Sequence, residues 1–83
     1  MYYVYVLKVN IGLRKKYYFG YTSDLRRRYA EHLKGLVKTT RNKNPNLIYY
    51  EAYIDKYIAL KREKGIKQSG SVYTSLMKRL KEY

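Results

Sequence analysis

The chain has no cysteine and only one histidine among its 83 residues. The absence of cysteine excludes disulfide bonds and thiolate zinc sites, and a single histidine excludes a histidine-rich metal centre. No apolar run approaches the roughly 20 residues that span a bilayer, and the start of the chain lacks the basic leader and small-residue cleavage site of a signal peptide. We therefore expect one soluble, cytoplasmic domain over residues 1–83, with no membrane association.

Acidic residues are also scarce, with six against 19 lysines and arginines, which leaves a net charge of +13. Charge of one sign at this density makes the chain repel itself and indicates a polyanionic partner. The 13 tyrosines are the main large side chains, and any buried tyrosine hydroxyl needs a hydrogen-bond partner. Charge and aromatic content together favour nucleic acid over an anionic membrane as the partner.

The pattern of apolar residues predicts an α+β fold in the order ββαβαα, with a three-stranded, mainly antiparallel sheet flanked by three helices. Strands are predicted at residues 2–8, 17–21 and 47–53, helices at 25–34 and 56–68, and a terminal helix along the apolar stripe from Tyr73 to Leu80. Segments 10–16 and 37–46 are expected to be loops, and the segment 69–71 is expected to end the second helix. The pattern leaves the position of the third strand open.

Three consecutive arginines lie in the first predicted helix, and helical spacing separates them. Arg28 is three residues after Leu25, so it lies beside the apolar stripe, and His32 follows it by four residues on the same side. Arg26 and Arg27 point away from the stripe, as expected for a solvated face that contacts nucleic-acid backbone. An arginine run is more often only a solvated patch, but an arginine on an edge that faces the sheet can hold a phosphate through two parallel hydrogen bonds.

Glu63 is the acidic residue whose position in the second helix is hardest to explain by helix capping. It shares a stripe with Ala59 and Ile66, which turns it at least partly inward. Two interpretations stay open. The first is an ion pair with Lys67, four residues on; the second is a ligand for a hard divalent cation, which takes oxygen ligands and keeps several waters.

Tyr5 and Tyr18 lie on adjacent strands of the predicted hairpin, so their hydroxyls are able to share one cleft. The loop after the first helix carries three basic residues, Lys38, Arg41 and Lys43. We expect these three to contact phosphates, which position a nucleic acid without specifying its sequence.

Two segments of the chain resemble the two halves of the GIY-YIG nuclease signature. They are YVYVLK at 3–8 and YYFGYTSDLRRRYAEHLKG at 17–35, in which YVY takes the place of GIY and YFG the place of YIG. The resemblance continues to the end of the chain. It is strongest to the small stand-alone, single-domain branch of that superfamily, and it extends to the nuclease domain of the bacterial excision-repair incision subunit.

This resemblance implies a magnesium- or manganese-dependent endonuclease that hydrolyses phosphodiester bonds in DNA or structured nucleic acid. It implies five catalytic residues: Tyr5 as general base or proton relay, Tyr18 orienting the water or scissile phosphate, Arg28 stabilising phosphate charge, His32 supporting Tyr5 or the phosphate, and Glu63 holding the metal. It also implies that Gly20 lets the backbone come close to the substrate.

Other interpretations remain open at the level of sequence. A module of the same fold that binds nucleic acid without cutting needs no Glu63, and a small RNA-associated or ribosome-associated protein fits the charge alone. A tyrosine with a pKa of about 10 is a poor base at neutral pH, so the nuclease interpretation requires nearby cations to favour the phenolate. The sequence does not decide between DNA and RNA, nor does it give the oligomeric state or any protein partner that targets the domain.

Overall fold

The computed structural model describes residues 1–81, which form three strands and three helices in the predicted order. The elements are β1 (Tyr2–Ile11), β2 (Arg14–Thr22), α1 (Leu25–Leu33), β3 (Asn46–Tyr53), α2 (Lys56–Gln68) and α3 (Gly70–Leu80), with a 3₁₀ turn at Lys38–Thr40. The sheet order is β2-β1-β3, and β1 pairs antiparallel with both neighbours. The α+β fold is therefore confirmed, while the last two residues of the predicted domain, 82–83, lie outside the described residues. Within residues 1–81 no helix is long and apolar enough to cross a membrane.

The side chains of β1 alternate between two cores, because successive residues of a strand point to opposite faces. On one face Val4 and Val6 join the core under α2 and α3, which contains Phe19, Ala59, Ile66, Leu76 and Leu80. On the other face Tyr5, Leu7 and Val9 pack beneath α1. The central strand is thus covered on both sides, as its two apolar faces predict.

The hairpin of β1 and β2 is longer than the sequence pattern predicts. Segment 10–16 was expected to be a loop, but both strands continue through it until Ile11 pairs with Arg14, and only Gly12 and Leu13 form the turn. Gly12 has a φ of +61°, which the first central residue of a type II′ hairpin turn requires. The prediction was wrong because these residues extend the strands beyond the core, where no alternation of buried apolar residues marks a strand.

Helix α1 begins where the sequence predicts, but the residue buried near its end is His32 and not Leu33. The Asp24 side chain accepts a hydrogen bond of 3.1 Å from the backbone N–H of Arg27 and so caps the helix. Leu33 continues the four-residue apolar spacing that starts at Leu25, but its side chain is 57% exposed, whereas His32 is buried. A four-residue spacing drifts around a helix of 3.6 residues per turn, so the buried position moves to His32.

Ser69 ends α2 and begins α3. Its N–H donates to the carbonyl of Gly65 at 2.9 Å, and its Oγ accepts from the N–H of Val72 at 3.4 Å. The prediction that segment 69–71 ends α2 is confirmed, since α2 stops at Gln68 with Ser69 as its C-cap, although the last two residues of the segment already belong to α3. Serine is also a preferred helix N-cap, so the same residue starts the next helix. The two helices are consequently joined without a linker.

Glu51 is the centre of a hydrogen-bond network that joins β3 to α2. Arg62 donates to it from Nε at 2.8 Å and from a second nitrogen at 2.9 Å, and the hydroxyls of Tyr49 and Tyr53 donate at 2.6 Å each. Burial alone would raise the pKa of Glu51, but the hydrogen bonds from Arg62 and the two tyrosines lower it to about 2. Four donors satisfy this carboxylate, so its role is structural.

Replacing Glu51 with Gln is expected to destabilise the fold and to remove part of its acid sensitivity. The folded pKa of about 2 lies below the ordinary 4.5, so the carboxylate contributes stability that is complete above about pH 4.5 and is lost as the pH falls toward 2. A shift of this size corresponds to about 3 kcal/mol. Urea unfolding at pH 7 and pH 3 measures both effects. An equal loss of stability on acidification in wild type and Glu51→Gln would contradict this account.

Candidate active site

The single histidine links the sheet to the loop that follows α1. His32 is 1% exposed, its Nε2 lies 2.9 Å from the Tyr5 hydroxyl, and its Nδ1 lies 2.7 Å from Oγ1 of Thr40. Tyr5 comes from β1 and Thr40 from the 3₁₀ turn, so one imidazole joins three segments of the chain. A neutral imidazole donates through one nitrogen and accepts through the other, so the two hydroxyls take opposite roles.

Tyr18 completes an aromatic cluster with Tyr5 and His32, as the hairpin pattern allowed. Its ring centroid lies 6.4 Å from that of Tyr5 and 5.3 Å from that of His32, the latter in an edge-to-face arrangement. Tyr5 is fully buried, while Tyr18 is only partly buried. Tyr5 therefore forms the floor of the cluster and Tyr18 its solvent-facing side.

Arg28 differs from its two neighbours in the way that helical spacing predicts. Its guanidinium lies beside the Tyr5 hydroxyl and donates to Oε1 of Glu31 at 3.1 Å, whereas Arg26 and Arg27 are exposed. The side chains of Arg28 and Glu31 are 36% and 35% exposed. An ion pair this accessible contributes at most about 1 kcal/mol, so a phosphate is able to replace Glu31 as the partner of Arg28.

Burial raises the pKa of Tyr5 above its ordinary value of 10.0. The nearby Arg28 opposes this effect, whereas the negative charges of an ionised Tyr18 and of Glu63 add to it. The requirement that nearby cations favour the phenolate is therefore not met by the described residues alone. Tyr5 keeps its own proton at neutral pH, and it is suited to relaying a proton rather than to acting as a standing base.

Burial lowers the pKa of His32 below its ordinary value of 6.5, and the positive charge of Arg28 lowers it further, against a smaller opposing effect of Glu31. The imidazole is consequently neutral at pH 7, and one of its nitrogens accepts a hydrogen bond. When Nδ1 donates to Thr40, Nε2 accepts from the Tyr5 hydroxyl. This tautomer provides a path by which a proton leaves Tyr5.

Glu63 is 20% exposed on α2, and its Oε2 accepts from Nζ of Lys67 at 3.3 Å. The ion-pair interpretation of the sequence is thus confirmed, and the same carboxylate is close enough to raise the pKa of Tyr5. Within residues 1–81 no group of three or more His, Cys, Asp or Glu side chains is arranged to hold a metal ion. Glu63 supplies a single carboxylate, so a divalent cation held there would have to take its other ligands from waters and substrate.

Gly20 lies directly opposite Tyr5 in the pairing of β1 with β2. A Cβ on Gly20 would lie 2.8 Å from Cε1 of Tyr5 and closer still to Cζ and the hydroxyl. Only glycine leaves room for the tyrosine ring to cross β2 toward His32. Sequence reasoning missed this role because the strand register was unknown, and the approach of a substrate to the Gly20 backbone stays a prediction.

The basic residues of the loop before β3 have structural as well as electrostatic roles. Arg41 donates to a backbone carbonyl of the same region at 2.9 Å, and Lys43 donates to another at 2.7 Å, while Lys38 is exposed. Two of the three thus stabilise the loop that presents Thr40, and their contact with phosphates stays a prediction. Sequence reasoning missed Thr40 because a threonine in a polar loop carries no periodic signal.

Arg26 belongs to a different surface from Arg28. It lines an open cleft of about 400 Å³ together with Tyr3 and Tyr50, and no member of the aromatic cluster lines that cleft. The arginine run is therefore divided between the cluster and the outer surface of α1.

Comparison with known proteins places the chain in a family. The family model described as the GIY-YIG catalytic domain matches residues 1–82, and nucleases of this family typically use a divalent metal ion. No solved structure matches the chain with significance.

Several relatives are UPF0213 proteins of archaea and bacteria. One from Halobacterium salinarum is 43% identical, over 82% of this chain and 87% of that protein. One from Streptococcus pneumoniae is 41% identical over 80% of this chain and 66% of that protein, and one from Staphylococcus epidermidis is 40% identical over 78% of both.

Replacing Gly20 with Ala is expected to displace the Tyr5 ring and break its hydrogen bond to His32. Overpacking of this kind destabilises by about 1–3 kcal/mol. Urea unfolding measures the loss of stability, and NMR signals of the His32 imidazole report the broken hydrogen bond.

Gly65→Ala is the matched control for this substitution. A Cβ on Gly65 meets no atom within 4 Å, so this helical alanine is expected to stabilise the fold by about 0.5–1 kcal/mol. Unchanged stability and unchanged imidazole signals in Gly20→Ala would contradict the proposed fit of the Tyr5 ring.

Proposed function

The chain belongs to the GIY-YIG family, and we propose that it is a metal-dependent endonuclease that hydrolyses phosphodiester bonds in DNA or structured nucleic acid. The observation that carries the proposal is the cluster in which Tyr5, His32 and Arg28 meet. Phosphodiester hydrolysis needs a positioned water, an acceptor for its proton and neutralisation of the phosphate charge. The cluster supplies a proton path and an arginine at one place, and the net charge of +13 attracts the anionic substrate.

Tyr5 and His32 form the proton relay of the proposed reaction. As a water attacks the phosphorus atom, the Tyr5 oxygen takes a proton from that water and passes its own proton to Nε2 of His32. The raised pKa of Tyr5 and the lowered pKa of His32 disfavour a standing phenolate–imidazolium pair, so the transfer occurs together with the attack. Thr40 holds the imidazole in the accepting tautomer, and Tyr18 orients the water or the phosphate.

Arg28 binds the scissile phosphate in place of Glu31. Its planar guanidinium donates two parallel hydrogen bonds to phosphate oxygens and stabilises the charge that grows in the transition state. Glu63 would hold a divalent cation, proposed to be magnesium with manganese as a substitute, and such an ion would supply positive charge that polarises the phosphate. Before the cation binds, Lys67 neutralises the same carboxylate.

Arg28→Ala is expected to slow cutting by about 100- to 1,000-fold while DNA affinity falls only modestly, because its contact with the phosphate strengthens as charge grows in the transition state. Nicking of supercoiled and branched DNA in magnesium measures cutting, and fluorescence anisotropy in a chelator measures binding. Arg27→Ala is the control: it removes an equal charge one residue away and should weaken binding modestly without affecting chemistry. Equal effects of the two substitutions would mean that Arg28, like Arg27, contributes only positive charge and has no role in the chemistry.

Glu63→Ala is expected to abolish cutting in magnesium and in manganese. Lys67→Ala breaks the same ion pair but keeps the carboxylate, so it should retain cutting. If the ion pair between Glu63 and Lys67 has only a structural role, both variants should lose cutting activity equally. Cutting that survives Glu63→Ala would remove Glu63 from the mechanism, and binding without cutting in any divalent metal would favour a non-cleaving module of the same fold.

A further inference from the structure

We propose that the end of the β1–β2 hairpin is an arm that enters the major groove of DNA. The arm comprises residues 10–16 together with Lys8. The inference rests on the proposed function and deepens it, since it names the surface that holds the duplex and the kind of duplex that fits.

The tip of the arm presents an apolar side chain that the fold does not need. Leu13 is 106% exposed, Ile11 is 38% exposed, and every residue from 10 to 16 is exposed. The turn itself requires only the positive φ of Gly12, so nothing in the hairpin demands leucine at position 13. A fully exposed leucine contributes no burial to folding, and in a groove it is able to contact base edges such as the thymine methyl group.

Positive charges lie on both faces of the arm. Lys16 pairs with Val9, whose side chain packs beneath α1, so Arg14 and Lys16 lie on that face of the hairpin. Lys8 and Lys15 lie on the opposite face. The ion pairs within residues 1–81 involve none of these four cations, which leaves them available to phosphates.

The dimensions of the arm match the major groove of B-form DNA. Three residue steps beyond the core correspond to about 10 Å at about 3.3 Å per residue. The major groove is about 8.5 Å deep and about 12 Å wide, and it admits a two-stranded β-ribbon. A ribbon with cations on both faces reaches the phosphates on both sides of the groove. The major groove of an RNA duplex is too narrow for side chains to read, so the arm predicts a preference for DNA.

The structure holds the arm at a set distance from the catalytic cluster. β2 runs from the tip to Tyr18, so Leu13 lies about 17 Å away along the strand, which corresponds to about five base steps. The backbone N–H of Asn10 also donates to the carbonyl of Lys43 at 2.8 Å. The loop that presents Thr40 to His32 therefore braces the base of the arm as well.

The charge of the arm is tested by two matched triple variants. One combines Arg14→Gln, Lys15→Gln and Lys16→Gln; the other combines Lys56→Gln, Lys61→Gln and Lys64→Gln, three exposed positions on α2. The probe is a 25-base-pair DNA duplex, with affinity followed by fluorescence anisotropy in a chelator over a series of salt concentrations. The arm variant should raise Kd by about 30-fold or more and lower the salt slope by about 2.7, and the α2 variant should change Kd by less than about 3-fold.

The apolar tip is tested by Leu13→Ser, with Ile54→Ser as control because Ile54 is also 87% exposed. Leu13→Ser should weaken DNA binding by about 5-fold, leave the salt slope unchanged and leave thermal unfolding unchanged. Ile54→Ser should alter none of these. Wild type should bind the DNA duplex more tightly than an RNA duplex of the same sequence, and Leu13→Ser should reduce this preference.

Three results would overturn the inference: equal weakening in the two triple variants, no effect of Leu13→Ser on DNA binding, or equal wild-type affinity for DNA and RNA duplexes. If Leu13→Ser had no effect on DNA binding, the apolar tip would instead be expected to contact a protein partner. All measurements use uncut DNA in a chelator, so a protein that binds through the arm but never cuts would refute only the proposed endonuclease. A protein that cuts DNA but binds it equally well without the charges and the leucine of the arm would refute only the proposed role of the arm.

Discussion

The two hydrogen bonds of His32 are the constraint on which the functional geometry depends. They connect residues that lie 27 and 8 positions away in the chain, and both are buried. Losing either partner would leave a buried nitrogen unsatisfied, which destabilises by about 1–3 kcal/mol. Every buried side-chain nitrogen and oxygen in the described part of the chain has a hydrogen-bond partner. The proton path proposed for catalysis is thus also a structural bond between the sheet, α1 and the following loop.

Two arginine–carboxylate pairs with the same chemistry have different roles. One stabilises the fold, and in the other the carboxylate is replaceable by another anion. Arg62 binds Glu51 through two nitrogens, and two tyrosine hydroxyls complete the hydrogen bonds of the carboxylate, so removing either partner leaves a partly buried charge unpaired. Arg28 binds Glu31 through one contact at the surface, where water competes. The first arrangement fixes β3 to α2. The second leaves its arginine free to accept another anion.

Periodicity was enough to predict the element order and the difference between Arg28 and its neighbours. These features depend on local spacing, which the sequence displays directly. The role of Gly20 depends on the strand register, and the role of Thr40 depends on how the loop after α1 folds back onto His32. Neither feature is visible in the local sequence pattern. The extended hairpin was missed for a related reason, since its residues 10–11 and 14–16 pair through the backbone while their side chains meet no core.

Ser69, as the shared cap of α2 and α3, determines where the chain tolerates changes in length. One inserted residue at this junction would rotate α3 by about 100° and carry Leu76 and Leu80 out of the core. We therefore expect insertions and deletions to be tolerated better at other connections, chiefly the hairpin turn and the loop between α1 and β3. Divergence in length among homologues is accordingly expected in the hairpin turn and in this loop, while the spacing of Glu63 from the terminal helix stays constant.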